Sequence, residues 1–396
     1  MKFIHLSDLH IGKRVNDFSM LEDQEYILQK ILYIIEEQQP DGVIIAGDVY
    51  DKAVPSAEAV QVFDEFLTQL SAKNLCVYII SGNHDSPERL SFGARLFSQN
   101  RIFVSPVFQG EVQPIEMTDS YGTVHLYLLP FIKPPQVRRL MKNREEIDEE
   151  ETGEKSSVSE KEIRTYEDAV RVVVEGMNVD ISDRNILIAH QFITGAATSD
   201  SEELSAGGMD NVSVSLFDAF DYVALGHIHR PQKIGRETVR YAGTPLKYSF
   251  SEANHKKSVT VVELKEKGEI EIDTIPLIPK RDLREIKGKY EDIVEKKNYE
   301  GTNTRDYMHI TLTDEEDILD AIGKLRAIYP NIMKLDYDNA RTRSGQQPSE
   351  STAVDQKKPI ELFDEFYEKQ NNRNLSEQQQ DYLLNLMEQI WGGERR

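Results

Sequence analysis

Short, continuously apolar runs alternate with longer stretches of helical hydrophobic period along the first part of this chain. Runs that are rich in β-branched residues and bounded by polar turns are typical of strands that are buried on both faces. The strands predicted in this way lie within residues 1–10 and at 42–47, 75–80, 125–129, 186–189 and 222–225. Residues 259–275 alternate in polarity and predict a hairpin around Lys267 and Gly268. The order strand, helix, strand, helix, strand at the start predicts an α/β layered fold.

Two amphipathic helices are expected between the first three strands. The first is predicted to begin with a capping box formed by Ser19 and Glu22. Its apolar stripe consists of Ile27, Leu28, Ile31, Leu32 and Ile35. The second is predicted to begin at Pro55-Ser56. It carries Val60, Phe63, Phe66, Leu67 and Leu70 on one face.

Changes in composition divide the remainder. Residues 143–163 are acidic and poor in large apolar groups, which predicts a mobile surface insertion. After Pro279 we expect a small β-α-β cap made of the strand HITLT, a helix over 315–328 and the strand IMKLDY. Residues 342–358 predict a flexible linker. The predicted domains are therefore 1–278, the cap at 279–341, the linker at 342–358 and a helical tail at 359–396.

The tail predicts two amphipathic helices. Leu362, Phe363 and Phe366 share a face of the first helix. The second helix begins with a capping box of Ser376 and Gln379 and presents Tyr382, Leu383, Leu386, Met387, Ile390 and Trp391. Two interpretations carry equal weight: the helices pack on the main domain, or they dock on an apolar groove or coiled coil of a partner.

Composition limits the class of protein. The formal net charge of the 396 residues is −22, which argues against tight, unaided binding to a polyanion. Bound metal ions or a partner can supply local positive charge, so nucleic acid stays open. The single cysteine, Cys76, excludes an intrachain disulfide and is expected to be buried. No apolar stretch reaches the length of a membrane span and no leader is evident at the start, so we expect a cytoplasmic protein.

Candidate chemistry lies at the ends of the apolar runs, because five of them finish in Asp, Asn or His. These residues are Asp8 and His10, Asp48, then Asn83, His84 and Asp85, then His190, and finally His227 and His229. Ligands collect at the carboxyl ends of strands in open α/β sheets, so we expect all nine to converge on one edge of one sheet. The other histidines (His5, His125, His255 and His309) are expected to be structural.

The donor types favour a pair of divalent ions. Carboxylate, imidazole and amide donors, without any thiolate, suit Mn²⁺, Fe²⁺ or Zn²⁺. About seven donors exceed what one first-row ion takes, and a two-metal site clamps both oxygens of an in-line displacement. Asp48 is the expected bridging carboxylate. Two divalent ions against Asp8 and Asp48 leave the site positive, so it would attract a phosphate.

The pattern D-x-H…G-D…G-N-H-D…H…G-H-x-H resembles the signature of the calcineurin-like metallophosphoesterase superfamily, over roughly residues 1–275. LSDLHIGK, AGDVYD and AGTPLKYSFSE (242–252) resemble its branch of DNA double-strand-break repair nucleases. The resemblance implies a four-layer β-sandwich flanked by helices, with a small α+β cap and C-terminal helices.

Individual roles follow from the resemblance alone. It implies one metal held by Asp8, His10, Asp48 and His229, and a second held by Asp48, Asn83, His190 and His227. His84 would contact the scissile phosphate and assist departure of the leaving oxygen, and Asp85 would orient the His84 imidazole. A helix N-cap is the alternative role for Asp85. The family implies two Mn²⁺ ions; Mg²⁺, Zn²⁺ and Fe²⁺ stay open.

As function, the resemblance implies 3′→5′ exonuclease activity on double-strand ends and endonuclease activity on single strands and hairpins. It also implies a homodimer, with residues 89–98 as a candidate interface, although the apolar face of that segment could equally belong to the core. An SMC-like ATPase partner bound by the C-terminal helices and an association with the nucleoid are implied as well. Two other functions stay open: a small-substrate phosphodiesterase, for example for cyclic nucleotides, and a non-catalytic adaptor. Six cations either contact DNA phosphates or are solvated: Lys13, Arg14, Arg89, Lys133, Arg138 and Arg139.

Overall fold

The computed structural model describes residues 1–152 (for 144–152 the backbone alone), 163–202, 210–316 and 318–340, and several later positions. Those positions are 342, 360, 363, 364, 367, 375, 376, 378–380, 382, 383 and 386. Two compact units are present: one comprises Met1–Thr313 with Ile318–Asp336, and the other Asp314–Asp317 with Tyr337–Arg396.

The strands are numbered in chain order. They are β1 (Lys2–Leu6), β2 (Arg14–Val15), β3 (Phe18–Ser19), β4 (Gly42–Ala46), β5 (Cys76–Ile80), β6 (Ile102–Val104), β7 (Ile115–Asp119), β8 (Gly122–Leu129), β9 (Arg184–His190), β10 (Tyr222–Gly226), β11 (Gln232–Ile234), β12 (Arg236–Tyr241), β13 (Ser258–Leu264), β14 (Ile270–Pro276), β15 (Leu283–Gly288), β16 (Tyr307–Leu312) and β17 (Ile332–Tyr337).

The helices are numbered in the same way. They are α1 (Leu21–Gln38), α2 (Ala57–Ala72), α3 (Pro87–Leu90), α4 (Ala94–Phe97), α5 (Pro134–Thr152), α6 (Tyr166–Gly176), α7 (Tyr290–Val294), α8 (Lys296–Tyr299) and α9 (Ala321–Arg326). Short 3₁₀ turns lie at Ser98–Asn100, Val214–Phe217 and Phe250–Glu252.

Two six-stranded sheets form the centre of the larger unit. The first has the order β14-β13-β1-β4-β5-β6, and the second β11-β12-β10-β9-β8-β7. Strands β1, β4, β5 and β6 run parallel to one another, as do β8, β9, β10 and β12 in the second sheet. The predicted hairpin is confirmed as β13 and β14, which pair antiparallel.

Three apolar clusters arrange these elements in four layers. One cluster lies between the sheets and includes Phe3, Tyr78 and Tyr222, none of which is exposed. A second packs α1 and α2 on the first sheet, and a third packs α6 on the second sheet. Strands that are covered on both faces are continuously apolar, which is the pattern seen in the sequence. The predicted four-layer fold is confirmed.

Several details of the helices differ from the predictions. Met20, not Ser19, is the N-cap of α1, and no side chain caps that end. Ser56 does cap α2, accepting from the amide of Ala59, but Val60 is 44% exposed instead of buried. Helix α5 continues through residues 143–152, so the first part of the predicted insertion is helical. Local helix propensity outweighs the acidic composition there.

The cap contains more than the predicted β-α-β unit. Its three-stranded sheet has the order β15-β16-β17, so an additional strand, β15, precedes the two that were predicted. Strand β15 pairs parallel with β16, and α7 and α8 connect them. The helix predicted over 315–328 begins only at Ala321, because Asp320 has a left-handed backbone. Among the described residues, none of the helices has the length and apolar character needed to cross a membrane.

In the smaller unit, the predicted capping box is present. The amide of Ser376 donates to the Gln379 side chain, and the amide of Gln379 donates to the Ser376 hydroxyl. Most of the predicted linker and the side chains of Leu362, Phe366, Met387, Ile390 and Trp391 lie outside the described residues.

Candidate metal centre

The nine candidate residues come together at the carboxyl ends of five parallel strands. Asp8, Asp48 and Asn83 follow β1, β4 and β5 of the first sheet. His190 ends β9, and His227 follows β10 of the second sheet. The expectation of a single sheet edge is therefore wrong, since two facing sheets each contribute one side of the cluster. Packing of the sheets through their shared apolar cluster aligns these ends.

The backbone is strained where the candidate ligands lie. Asp8, His10 and Asp48 have φ angles of 51°, 45° and 48°, and His227 has a φ of 102°. Such angles are uncommon outside glycine and concentrate at functional sites. They turn the chain sharply at the strand ends, so that the side chains point back toward one another.

Two glycines permit the close approach of the loops. A Cβ atom on Gly82 would lie only 2.5 Å from the backbone nitrogen of Asp48, and one on Gly226 would overlap the carbonyl oxygen of Ala46. Neither obstacle is the far end of a flexible side chain, so larger residues are excluded at both positions.

The first group of donors consists of Asp8, His10 and His229, whose ligand atoms lie within 4.8 Å of one another. The Nε2 atoms of His10 and His229 are 3.2 Å apart. Asp8 is held by the amide of His227, which donates to both carboxylate oxygens at 3.0 and 3.2 Å. All three side chains are buried, so their polar atoms require partners.

The second group surrounds Asn83. Its Oδ1 lies 3.0 Å from Nε2 of His190 and 2.9 Å from Nδ1 of His227. Asp48 reaches both groups, because its Oδ2 is 3.3 Å from Nε2 of His190 and 3.7 Å from Nε2 of His10. Asp8, Asp48 and His190 also satisfy the spacing of a metal site.

This arrangement fits divalent ions. Ligand bonds of about 2.1 Å place neighbouring donors of one ion roughly 3 Å apart, which is the separation of these atoms. Nδ1 of His190 donates to the carbonyl of Ala46 at 2.9 Å, so a neutral imidazole turns its lone pair toward the Asn83 oxygen. Two lone pairs that face each other in a buried site need a proton or a cation between them.

The electrostatics of the protein groups themselves show the same requirement. Burial acts to lower the pKa of His190, but the charge of Asp48 outweighs it and raises that pKa to about 9. Burial raises the pKa of Asp48, yet its contacts with His190 hold it well below the usual range. Burial raises the pKa of Asp8 to about 6 and lowers that of His227 to about 3. A bound cation would take over the role of the proton on His190.

The contacts of His84 differ from the expectation. Its Nδ1 lies 3.0 Å from the carbonyl oxygen of Asp51, and its ring packs edge-on against His10 with centroids 4.8 Å apart. The Asp85 carboxylate instead accepts from the amides of Val49, Tyr50 and Gly82 at 3.0–3.1 Å. The partner of the His84 ring is thus a backbone carbonyl, and Asp85 ties two ligand-bearing loops together.

The alternative role of Asp85 is also wrong. Ser86 is the N-cap of α3, and its side chain accepts from the amide of Arg89. Burial, followed by the charge of Asp48, raises the pKa of Asp85 to about 6.

Sequence reasoning missed the support of His229. The hydroxyl of Ser201 lies 2.6 Å from its Nδ1 and donates onward to Glu252. Lys257 binds the second oxygen of Glu252 at 2.5 Å and the carbonyl of His229 at 2.8 Å. The amide of His229 donates to Glu202 at 2.8 Å. Glu252 lies in the motif YSFSE, yet only the tertiary contacts reveal its role.

A second support lies behind His10. The side-chain nitrogen of Gln24 donates to the carbonyl of His10 at 2.7 Å and to the hydroxyl of Tyr248 at 2.9 Å. The Tyr248 ring in turn lies against His10 and His229, with centroid distances of 5.8 and 6.3 Å. Helix α1 thereby fixes the loop that carries the first two ligands.

The remaining histidines lie outside the cluster. His5 bonds Tyr222 at 2.9 Å, and His125 bonds Asp183 at 3.0 Å. His309 contacts the carboxylates of Glu285 and Asp336 at 2.9 and 2.8 Å. Of the six cations with two open interpretations, Lys13 pairs with Asp51 at 2.8 Å, and Arg138 donates to the carbonyl of Ile163 at 2.8 Å.

Comparison with known proteins agrees with this geometry. A family model described as calcineurin-like phosphoesterase matches residues 1–231. The model SbcD_C, described as type 5 capsule protein repressor C-terminal domain, matches residues 279–371. The SbcD subunit of the nuclease SbcCD from Staphylococcus epidermidis is 34% identical over 394 residues, which cover 98% of each chain.

Similar solved structures include a dimetal phosphatase from Danio rerio and a phosphoesterase from E. coli. The first is 13% identical with a TM-score of 0.39 and covers 70% of this chain and 99% of its own. The second is 12% identical with a TM-score of 0.28 and covers 70% and 100%. Because the family model matches residues 1–231 and the relative is 34% identical over nearly the whole length, this chain belongs to the calcineurin-like phosphoesterase family and is a homologue of SbcD, the nuclease subunit of SbcCD.

Proposed function

We propose that this chain is the nuclease subunit of an SbcCD-type complex, which hydrolyses DNA phosphodiesters during repair, recombination and replication. The observation that carries the proposal is the double cluster of donors that shares Asp48 and lies beside His84. Its expected activities are 3′→5′ exonuclease activity on double-strand ends and endonuclease activity on single strands and hairpins.

Two divalent ions are proposed, with Mn²⁺ favoured and Mg²⁺, Zn²⁺ or Fe²⁺ as alternatives. Asp8, His10, Asp48 and His229 would hold one, and Asp48, Asn83, His190 and His227 the other. When bound, the ions supply a nucleophile from water and offset the negative charge that develops on the phosphate.

The proposed role of His84 is proton transfer to the leaving oxygen. Its Nδ1–H donates to the carbonyl of Asp51, which fixes the ring and directs Nε2 away from the loop. A protonated Nε2 can then donate to an oxygen of the substrate, which is general acid catalysis. Asp85 acts on this step indirectly, because it holds the loops that carry Asp48 and Asn83.

The decisive experiment is cleavage of an end-labelled DNA hairpin in the presence of Mn²⁺. Wild-type protein and the control His125→Ala, whose ring lies near the amino end of β8, should cut the hairpin. His84→Ala should lower the rate by about 10²–10⁴-fold while still binding the metal. Cutting by all three proteins would remove His84 from the mechanism. If none cuts, including with the ATPase partner added, the nuclease proposal is wrong.

We propose a homodimer formed through α3 and α4. Phe92, between these helices, is 82% exposed, and Leu96 and Phe97 are 67% and 38% exposed. A left-handed Gly93 breaks the segment into two short helices, so its apolar side chains face outward instead of entering the core. Light scattering should give a dimer for the wild type and a monomer for Phe92→Asp with Leu96→Asp. A dimeric double variant would contradict this interface.

The helical tail is proposed to bind an SbcC-type, SMC-like ATPase near the root of its coiled coil. Tyr382 and Leu386 are 68% and 39% exposed, so apolar side chains are available to a partner helix. The proposed division of the chain is 1–278 for the nuclease, 279–341 for the cap, 342–358 for the linker and 359–396 for this motif. Truncation after residue 341 should abolish co-purification with the ATPase; retained binding would refute the docking role.

A further inference from the structure

A small cavity opens beside two of the candidate metal ligands, Asn83 and His227. Its volume is about 170 Å³. At roughly 30 Å³ per water molecule this is room for five or six waters, hence for one ring system and not for several nucleotides. The cavity therefore has the size of a subsite next to the phosphate position.

Aromatic side chains form much of its wall. The Phe131 ring lies 6.4 Å from that of His227 at 18° between the planes, and 5.9 Å from that of Tyr166. The Phe192 ring also lies 6.4 Å from that of His227, at 64° between the planes. These phenylalanines and the tyrosine are only partly buried, so ring surface faces the cavity instead of filling the core. Aromatic walls beside a phosphate site suit nucleobases, since every base has a π-face.

Two of the polar side chains that line the cavity, Lys133 and Gln191, suit the same ligand. Lys133 lies at the rim with its ammonium 5.9 Å from the Phe131 ring centroid, where it can meet a phosphate or the electron-rich face of a base. Gln191 is fully buried, and neither its amide oxygen nor its amide nitrogen has a hydrogen-bond partner among the described residues. A buried amide without partners is unfavourable, and the edge of a base offers both a donor and an acceptor.

We propose that this cavity binds the nucleobase adjacent to the scissile phosphate. The rings of Phe131, Tyr166 and Phe192 contact the face of the base. The side-chain amide of Gln191 hydrogen-bonds its edge. The subsite rests on the proposed nuclease function. It adds to that function the recognition of the base of one nucleotide next to the cut. Stacking makes it tolerant of sequence, so it distinguishes a nucleotide from an abasic residue more strongly than one base from another.

The test uses two hairpins that differ only at the nucleotide next to the cut. One carries thymidine there, and the other carries a tetrahydrofuran abasic residue. The wild type should cleave the thymidine substrate with a kcat/KM about tenfold higher, as expected for the loss of one stacked base. Tyr33→Ala, which removes a 59% exposed ring from the outer face of α1, should keep this ratio.

Phe192→Ala and Gln191→Leu should bring the ratio close to one, with unchanged Mn²⁺ binding as the check on folding. A second measurement needs no variant and no turnover. Thymidine 5′-monophosphate should raise the melting temperature of the Mn²⁺-loaded wild type more than inorganic phosphate does at equal concentration.

The outcomes separate the two proposals. Equal cleavage of both hairpins by the wild type, together with equal stabilisation by nucleotide and phosphate, overturns the base subsite and leaves the nuclease intact. A preference that survives in both Phe192→Ala and Gln191→Leu also overturns it. Failure of the wild type to cleave either hairpin removes the nuclease function on which the subsite depends.

Discussion

The hydroxyl oxygen of Ser201 lies 2.6 Å from Nδ1 of His229. This contact assigns the proton of the imidazole to Nδ1, because the serine donates its own hydrogen to Glu252. Nε2 of His229 therefore presents a lone pair to His10 and Asp8. Such outer contacts set the tautomer and orientation of a metal-binding histidine.

Removal of the Glu252 charge should weaken metal binding. Glu252→Gln deprives both Ser201 and Lys257 of their anionic partner, so we expect the Mn²⁺ dissociation constant to rise by about 10–100-fold in titration calorimetry. Ser201→Ala should shift it in the same direction. The control Glu266→Gln lies in the exposed turn between β13 and β14 and should match the wild type. Unaltered affinity in both Glu252→Gln and Ser201→Ala would refute this support.

Substitution of Asp85 should lower the stability of the fold. Its carboxylate accepts three backbone hydrogen bonds, and an asparagine would turn its amide group toward some of those donors. We expect Asp85→Asn to lower the free energy of unfolding by about 2–3 kcal/mol in denaturant titrations. Asp64→Asn, at an exposed position of α2, serves as the control. A large loss of rate with full stability would instead indicate a direct role on His84.

Metal binding should release a proton near neutral pH. Before an ion binds, the pKa of His190 is raised to about 9, so at pH 7 the ring is protonated and must become neutral to bind an ion. Calorimetry in buffers of different ionisation enthalpy should detect about one proton released per protein. The apparent affinity should rise with pH and level off near pH 9. A pH-independent affinity between pH 7 and 9 would contradict this assignment.

Acid should weaken the link between α1 and the start of the cap. The side chains of Lys280 and Arg281 hydrogen-bond Glu22 and lower its pKa from 4.5 to about 2. A carboxylate with a depressed pKa stabilises the fold above its unfolded pKa, and this contribution disappears as the pH falls from about 4.5 to 2. Because Glu22 is exposed, we expect only about 0.5 kcal/mol.

The measurement is the difference in unfolding free energy between the wild type and Glu22→Gln. It should be present at pH 6 and vanish by about pH 2. Glu25→Gln, an exposed acid on the same helix, should show no comparable difference. A constant difference over this range would show that the pairs contribute nothing through charge.

The sequence alone was sufficient to predict the strands around the site and the polar residues that follow them. Each apolar strand that ends in Asp8, Asp48 or Asn83 is a local pattern. A window of about ten residues contains both the strand and the candidate ligand that follows it. Family resemblance then connected these segments with His190, His227 and His229. The local patterns by themselves predicted an α/β layered fold, and the four-layer arrangement was implied by the family resemblance.

Other features depended on where distant segments meet. The ligands come from two sheets instead of one, since the packing of Tyr78 against its neighbours in the facing sheet brings the strand ends together. Glu252 and Ser201 are separated by 51 residues, and Asp85 and Val49 by 36, so no local pattern connects them. Side-chain partners at such separations are chosen by the packed backbone. The sequence therefore determined which residues carry the chemistry, and the tertiary structure decided which groups orient them.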